Sequence, residues 1–259
     1  DKLTAQAADM TRTQATAAIK RGRITVDGEV CRVPDQKVPE TAQLLLDGQP
    51  VTYEKYVYLM MDKPAGYLSA TEDPRDPSVT ELLPEALQKR SLGIVGRLDK
   101  DTTGLLLITD NGDLNHRLTS PRYHMDKVYL ATLDVPADHH DVRDFESGMD
   151  LGDFTAMPGK LEIDPEDGRK CRVTIREGKF HQVKRMLASR GAPVVYLKRE
   201  QIGALKLDPA LAPGQWREMT DEEVALLEQE GVECPAELGK QLLRFEEKLL
   251  ETNQVMNLT

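Results

Sequence analysis

A short polar segment near the middle of the chain carries the residue types best suited to chemistry. It runs Gly96-Arg97-Leu98-Asp99-Lys100-Asp101-Thr102-Thr103-Gly104 between two apolar runs, residues 92–95 and 105–108. Apolar runs of this length are typical of buried strands, and a polar turn between two strands is a rigid support for a reactive group. Asp99 and Asp101 can each act as a nucleophile or a base, and residue type alone does not choose between them. The alternative is a tight turn, in which the two threonines and the aspartates bind backbone groups.

Three further motifs lie elsewhere in the chain. They are Lys63-Pro64-Ala65-Gly66, Lys127-Val128-Tyr129 and Gly178-Lys179-Phe180-His181-Gln182-Val183-Lys184-Arg185-Met186. With Gly-Arg-Leu-Asp and Asp-Thr-Thr-Gly-Leu, these motifs and their order resemble the RsuA-like branch of the pseudouridine synthases. The resemblance extends from residue 1 to about residue 231. The Lys-Pro-x-Gly turn is expected to shape a wall of the site or to end a strand.

The resemblance implies an enzyme that isomerises a uridine of RNA to pseudouridine without a cofactor or a metal. The bond between ribose C1′ and uracil N1 breaks, the base rejoins through C5, and the C5 proton is lost. A carboxylate can attack the sugar covalently or abstract a sugar proton to give a glycal-like intermediate, and both routes stay open. The expected partner is ribosomal RNA, from the small subunit or its assembly intermediate. Large-subunit rRNA and tRNA are the alternative substrates, and a non-catalytic RNA-binding or ribosome-assembly protein is the alternative class of function.

The resemblance also implies roles for individual residues. Asp99 matches the catalytic aspartate, and Tyr129 matches a tyrosine that can stack on a splayed uracil or help to remove the C5 proton. Lys184 matches the basic residue that keeps this carboxylate ionised, and the adjacent Arg185 is an open alternative for that pairing and a candidate for RNA contact. Arg97 is expected to bind RNA or to brace the loop through an ion pair.

The charge distribution permits RNA binding although the net charge is -10. Residues 169–206 contain eleven basic and two acidic residues, whereas residues 218–251 contain eleven acidic and three basic ones. Residues 10–25 contain no acid. Basic segments can bind phosphates, or they can be the solvated faces of ordinary elements. The candidates for RNA contact in the first basic segment are Arg12, Lys20, Arg21 and Arg23.

Four regions follow from the order of helix, strand and turn signals. Residues 1–47 have a helix, a basic break and a hairpin signal at Asp27-Gly28, and they resemble an S4 RNA-binding domain. A linker over 48–55 begins beside Asp47-Gly48-Gln49-Pro50, a catalytic domain covers 56–231, and a helical extension covers 232–259.

The elements interleave without a strict βαβ period, which predicts an α+β protein. We expect a catalytic domain with a mixed, mainly antiparallel β-sheet flanked by helices, plus the small N-terminal α/β domain of S4 type. One predicted strand is 127–134, with Val128, Leu130 and Leu133 as its apolar residues.

Cysteine and histidine usage predicts no metal site and no disulfide framework. Cys31, Cys171 and Cys234 are far apart and odd in number, which is typical of reduced thiols. None of the five histidines makes a zinc-like spacing with a cysteine or another histidine. No apolar run approaches the roughly 18 residues of a membrane span, and no export signal opens the sequence. We therefore expect a cytoplasmic monomer that does not associate with membranes.

Overall fold

The computed structural model describes residues 1–8, 10–39, 42–51, 56–120 and 124–229. These form two compact units, residues 1–57 and the described residues from 58 onward, and each unit is described by itself. The predicted C-terminal extension, 232–259, and residues 52–55 of the predicted linker lie outside the described residues. None of the described helices is long and apolar enough to cross a membrane.

The N-terminal unit is a small α/β module with two helices and a four-stranded antiparallel sheet of order β2-β1-β3-β4. The second helix begins after Thr11, which forms a reciprocal capping box with Gln14. Ala18 and Ile19 on this helix pack with Ile24 and Cys31 of the sheet. The elements are α1 Lys2–Ala7, α2 Arg12–Lys20, β1 Ile24–Val26, β2 Glu29–Cys31, β3 Leu44–Leu46 and β4 Gln49–Val51.

The predicted start of the linker is wrong, because Asp47-Gly48 is the turn of a second hairpin. Both residues have positive φ, +52° and +79°, as the type I′ turn between paired strands requires. Residues 49–51 pair with β3, so the N-terminal unit continues beyond residue 47. Pro50 fits there because β4 is an edge strand, in which a missing backbone N–H is tolerated.

The second unit is built on a mixed sheet of order β11-β12-β8-β13-β7-β5-β15, to which β14 and β6 add at β13 and β7. Its only parallel pair in the described chain joins β13 to β7. The α+β prediction with a mainly antiparallel sheet is confirmed. The strands are β5 Tyr58–Lys63, β6 Gly93–Val95, β7 Thr103–Thr109, β8 Lys127–Leu133, β9 Met149–Asp150, β10 Thr155–Ala156, β11 Lys160–Ile163, β12 Lys170–Ile175, β13 Val194–Ile202, β14 Leu205–Lys206 and β15 Trp216–Glu218. The helices are a 3₁₀ turn Val79–Leu82, α3 Glu85–Gln88, α4 Gly112–Thr119, α5 His139–Ser147, α6 Gln182–Ala188 and α7 Asp221–Gln229.

Strand β7 lies between β13 and β5 in this sheet and is covered on both faces. Leu105, Leu106, Leu107 and Ile108 are all buried, as expected for a strand between packed layers. At its start, Gly104 has φ +102°, and a Cβ there would lie 2.2 Å from the Arg199 carbonyl oxygen. Glycine therefore allows β13 to approach the end of the polar loop.

Strand β8 faces the core with a different set of residues than its apolar pattern predicts. Its buried residues are Tyr129, Ala131 and Leu133, whereas Val128 and Leu130 are only half-buried. The strand therefore turns the tyrosine, and not its two aliphatic neighbours, to the buried side.

Candidate active site

The polar loop between β6 and β7 is a tight turn that presents Asp99 to a cleft. The Thr102 amide donates to the Asp99 carbonyl oxygen at 3.1 Å and closes the turn. The Asp99 side chain is 28% exposed, and it lines the cleft together with Tyr129, Val183 and Lys184. Asp101 points outward, with a side chain that is 76% exposed. The geometry thus distinguishes the two carboxylates that residue type leaves equivalent.

Lys184 on α6 lies between these two carboxylates. Its Nζ is 3.1 Å from Asp99 Oδ2 and 2.6 Å from Asp101 Oδ1. Partial burial lowers the pKa of Lys184, but its hydrogen bonds to Asp101 and Asp99 raise this pKa above the ordinary value overall. The hydrogen bond from Lys184 holds the pKa of Asp101 below its usual range. The site therefore places a stable cation beside the cleft carboxylate.

Arg185 faces away from Asp99, because one residue of helix turns the side chain by about 100°. Its guanidinium pairs with the Asp153 carboxylate and donates to the Leu151 carbonyl oxygen at 3.1 Å. It also lies over the Phe154 ring, 4.9 Å from the ring centroid. Of the two basic candidates for the pairing, Lys184 is the one that lies beside Asp99.

Lys63, at the end of β5, binds the backbone of the polar loop. Its fully buried Nζ, with three N–H groups, lies within hydrogen-bonding distance of four carbonyl oxygens: Asp99 at 3.1 Å, Lys100 at 3.2 Å, Thr102 at 2.9 Å and Pro64 at 3.1 Å. Burial lowers the pKa of Lys63 to about 8, although the Asp101 and Asp99 carboxylates act in the opposite direction. The ammonium thus fixes the backbone from which Asp99 projects.

The turn that follows Lys63 adds further bonds to the same loop. The Gly66 amide donates to the Lys100 carbonyl oxygen at 2.8 Å. The Ser69 hydroxyl donates to the Leu98 carbonyl oxygen at 2.8 Å and accepts from the Leu98 amide at 3.0 Å. The Lys-Pro-Ala-Gly segment therefore supports the loop, a role that its turn signal alone did not reveal.

Arg199 on β13 joins the two ends of the loop. It is 1% exposed, and its guanidinium donates to the Leu105 carbonyl oxygen at 2.8 Å and to the Gly96 carbonyl oxygen at 2.7 Å. Burial lowers the pKa of Arg199, and the electrostatic interaction with the Tyr129 side chain opposes that effect. One buried cation thus binds both ends of the loop. The sequence did not single out Arg199, because it lies within a basic segment that predicted either an RNA-binding face or a solvated face.

The two loop threonines differ in their hydrogen bonding. Thr103 Oγ1 lies 2.9 Å from the Tyr196 hydroxyl and 3.3 Å from the Leu197 carbonyl oxygen, so it binds a backbone group of β13 as predicted. Thr102 Oγ1 is buried and has no partner among the described residues. The prediction that both threonines cap backbone groups is therefore wrong for Thr102.

The candidate RNA-binding side chains differ in whether a nearby carboxylate already pairs with them. Arg97 is exposed at the cleft, and no described residue pairs with it. In the N-terminal unit, Arg12 pairs with Asp1 at 3.0 Å and Arg23 pairs with Asp47. The two remaining candidates, Lys20 and Arg21, are exposed and form no ion pair within the described part of that unit.

Nothing in the described ranges groups three or more metal-binding side chains. Cys31 and Cys171 are buried free thiols, and burial raises the pKa of Cys171 to about 11. A larger cavity of about 770 Å³ lies beside residues 71–74 and is lined by Glu72, Asp73 and Glu81. We assign the chemistry to the smaller cleft, because three carboxylates repel phosphates and the larger cavity lies apart from Asp99.

Comparison with known proteins supplies independent information on this arrangement. Residues 57–189 match the family model described as RNA pseudouridylate synthase. The chain is 44% identical over 232 residues to the "Uncharacterized RNA pseudouridine synthase YtzG" of Bacillus subtilis (strain 168), with 88% of this chain and 97% of that protein covered. It is 41% identical over 226 residues to the "Ribosomal small subunit pseudouridine synthase A" of Escherichia coli (strain K12), with coverages of 87% and 97%. A solved structure described as "Crystal structure of pseudouridylate synthase" superimposes with a TM-score of 0.63 at 35% identity, covering 87% of this chain and 97% of that one.

Proposed function

The chain belongs to the RNA pseudouridylate synthase family, and we propose that it isomerises a specific uridine of small-subunit ribosomal RNA with Asp99 as the catalytic carboxylate. The observation that carries the proposal is the position of Asp99, which lines the cleft 3.1 Å from the Lys184 ammonium and beside Tyr129. Asp101 shares that cation but is mostly exposed. The lower exposure of the Asp99 side chain, 28% against 76%, favours Asp99.

The first step breaks the bond between ribose C1′ and uracil N1. An ionised Asp99 either attacks C1′ or removes a sugar proton, and both routes require a carboxylate rather than a carboxylic acid. Lys184 favours the ionised form because a nearby cation stabilises a carboxylate. The base then turns and C5 forms the new bond to C1′. On the covalent route this step breaks the bond between Asp99 and C1′, and on the other route the sugar takes back the proton that Asp99 removed. The C5 proton is then lost.

Tyr129 and the loop supports prepare this step. We assign the Tyr129 ring to contact with the extruded uracil and its phenol to the proton transfer from C5. The Tyr129 side chain is 7% exposed, so the packing around it restricts its position. Lys63 and Arg199 act as positioning residues, because they bind the backbone of the loop and not the reacting atoms. Fixed geometry of this kind reduces the cost of reaching the transition state.

Small-subunit rRNA, free or within an assembly intermediate, is the proposed substrate. Support comes from the curated relative named ribosomal small subunit pseudouridine synthase A, which aligns along nearly its whole length. We further propose that the N-terminal unit binds RNA as an S4-type domain, with Lys20 and Arg21 as free cations for phosphate contact. The enzyme is expected to act as a monomer in the cytoplasm.

Tritium release from rRNA labelled at uridine C5 tests the catalytic assignment, since C5 loses its hydrogen only when isomerisation is complete. Asp99→Asn should abolish release, because the change removes the charge and keeps the shape. Asp101→Asn is the matched control in the same loop and should reduce release only in part. If Asp99→Asn keeps wild-type release and Asp101→Asn loses it, the catalytic assignment belongs to Asp101.

The substrate is tested separately by chemical mapping of pseudouridine in rRNA from cells with and without the gene. A pseudouridine that disappears from small-subunit rRNA supports the proposal. One that disappears only from large-subunit rRNA or tRNA contradicts the substrate and leaves the chemistry in place.

A further inference from the structure

Phe180 is the most exposed large hydrophobic side chain of the described residues. It is 75% exposed, and Val195 follows at 64%. Aromatic rings normally contribute large buried areas to cores and interfaces. An isolated exposed hydrophobic residue is ordinary, so its surroundings decide whether Phe180 has a role.

The loop that carries Phe180 is held in place by a buried side chain. Gln182, which is 3% exposed, accepts from the Lys179 amide at 3.0 Å through Oε1 and donates to Glu177 Oε1 at 2.7 Å through Nε2. The Gln182 amide also donates to the Lys179 carbonyl oxygen at 3.2 Å. These bonds close the loop before α6, so the exposed ring projects from ordered backbone.

The Phe180 ring is also aligned with the active site. It stacks on the His181 ring with a centroid separation of 3.8 Å and an interplanar angle of 19°. His181 has φ +51°, a conformation that side chains disfavour and that must be held by its surroundings. His181 Nε2 lies 3.6 Å from Asp99 Oδ1. Phe180, His181 and Asp99 therefore form a row that leads from solvent to the catalytic carboxylate.

We propose that Phe180 is a stacking platform for the RNA base next to the target uridine, an inference that rests on the proposed function. Extrusion of a uridine leaves the neighbouring base with an uncovered face. An exposed aromatic ring covers such a face whatever the base, because every base has a π surface. The adjacent exposed Lys179 provides a cation for the phosphate of the same strand.

The exposed ring also fits a second kind of occupant, an apolar patch on a protein. The row of rings favours RNA, since it ends at Asp99 within the cleft that receives a base. The two occupants differ in what they require of residue 180. A base requires a flat ring, whereas a protein patch accepts an aliphatic side chain of similar size.

Fluorescence anisotropy with a fluorescein-labelled oligouridylate tests the platform in the full chain. Phe180→Ala and Phe180→Leu should weaken binding about 5- to 150-fold, the range expected for one lost base–aromatic stack. Phe180→Trp should bind like the wild type. The control is Val135→Ala, which changes another exposed hydrophobic residue outside the cleft and should leave affinity unchanged. Thermal unfolding of each variant verifies that the fold is retained.

Unchanged affinity in Phe180→Ala overturns the proposal, and so does wild-type affinity in Phe180→Leu. Tritium release from C5-labelled small-subunit rRNA separates this failure from failure of the proposed function. If the wild type releases no tritium, the proposed function is wrong, and the oligouridylate result still decides the platform. If the wild type and both variants release tritium with equal kcat/KM, the proposed function stands and the platform is wrong.

Discussion

Removal of the cation beside Asp99 should lower the rate through the loss of a charge. The variant is Lys184→Met, which keeps the length of the side chain and removes its charge. At the observed 3.1 Å, two unit charges interact by about 5 kcal/mol at an effective dielectric of about 20, and by about 1 kcal/mol at about 80. The side chains of Lys184 and Asp99 are 20% and 28% exposed, so water screens the pair only in part.

The expected loss of rate follows from this magnitude. A loss of about 1–5 kcal/mol of transition-state stabilisation corresponds to a fall in kcat/KM of about 5- to 5,000-fold. Asp99→Asn should lose more than Lys184→Met, because it removes the reactive group itself.

The assay is tritium release, with two matched controls. Lys184→Arg keeps the charge and should keep most of the wild-type kcat/KM. Arg185→Met removes the neighbouring charge, which pairs with Asp153, and should lower kcat/KM less than Lys184→Met does. An equal loss of kcat/KM in Lys184→Arg and Lys184→Met would refute the electrostatic reasoning.

Two further predictions concern charges outside the cleft. Burial lowers the pKa of Lys63 from 10.5 to about 8, so the native state loses this proton at a lower pH than the unfolded state does. The free energy of unfolding should therefore increase as the pH is raised between those two values. Urea denaturation should show that the free energy of unfolding rises over this pH range by about 3 kcal/mol more in the wild type than in Lys63→Met. If the two proteins show the same dependence of this free energy on pH, the lowered pKa of Lys63 is contradicted. In the N-terminal unit, joint replacement of Lys20 and Arg21 by Ala should reduce the slope of log affinity against log salt by about 1.4 in RNA titrations. Arg23→Ala is the control with a smaller expected effect, since Arg23 already pairs with Asp47.

The sequence was sufficient to predict features that are formed by residues close together in the chain. The loop with Asp99 reads as a polar turn between apolar runs, and the structure has that turn between two strands. A helix was also predicted in the N-terminal region, and the capping box that begins α2 involves residues only three apart. Such features depend on neighbours in the chain, which the sequence displays directly.

The sequence was insufficient where a side chain acts across the fold. Lys63 bonds to carbonyl groups 36 to 39 residues away, and no local pattern reports that proximity. Arg199 stood within a basic segment that predicted solvent exposure, yet pairing of β13 between β8 and β7 buries it. The Asp47-Gly48 turn was misplaced for a different reason, since the paired strands are only three residues long and lack a clear alternation.

The bonds from Arg199 also determine when the site can form during synthesis. They join carbonyl groups 94 and 103 residues earlier in the chain, and the parallel pairing of β7 with β13 has the same long separation. At about 5–20 residues per second, a ribosome makes Asp99 about 5–20 seconds before it makes Arg199. Closure of so long a segment is slow compared with hairpin formation. The nascent chain therefore completes its N-terminal hairpins well before the polar loop receives its buried cation, and catalytic competence is among the last properties that the growing protein acquires.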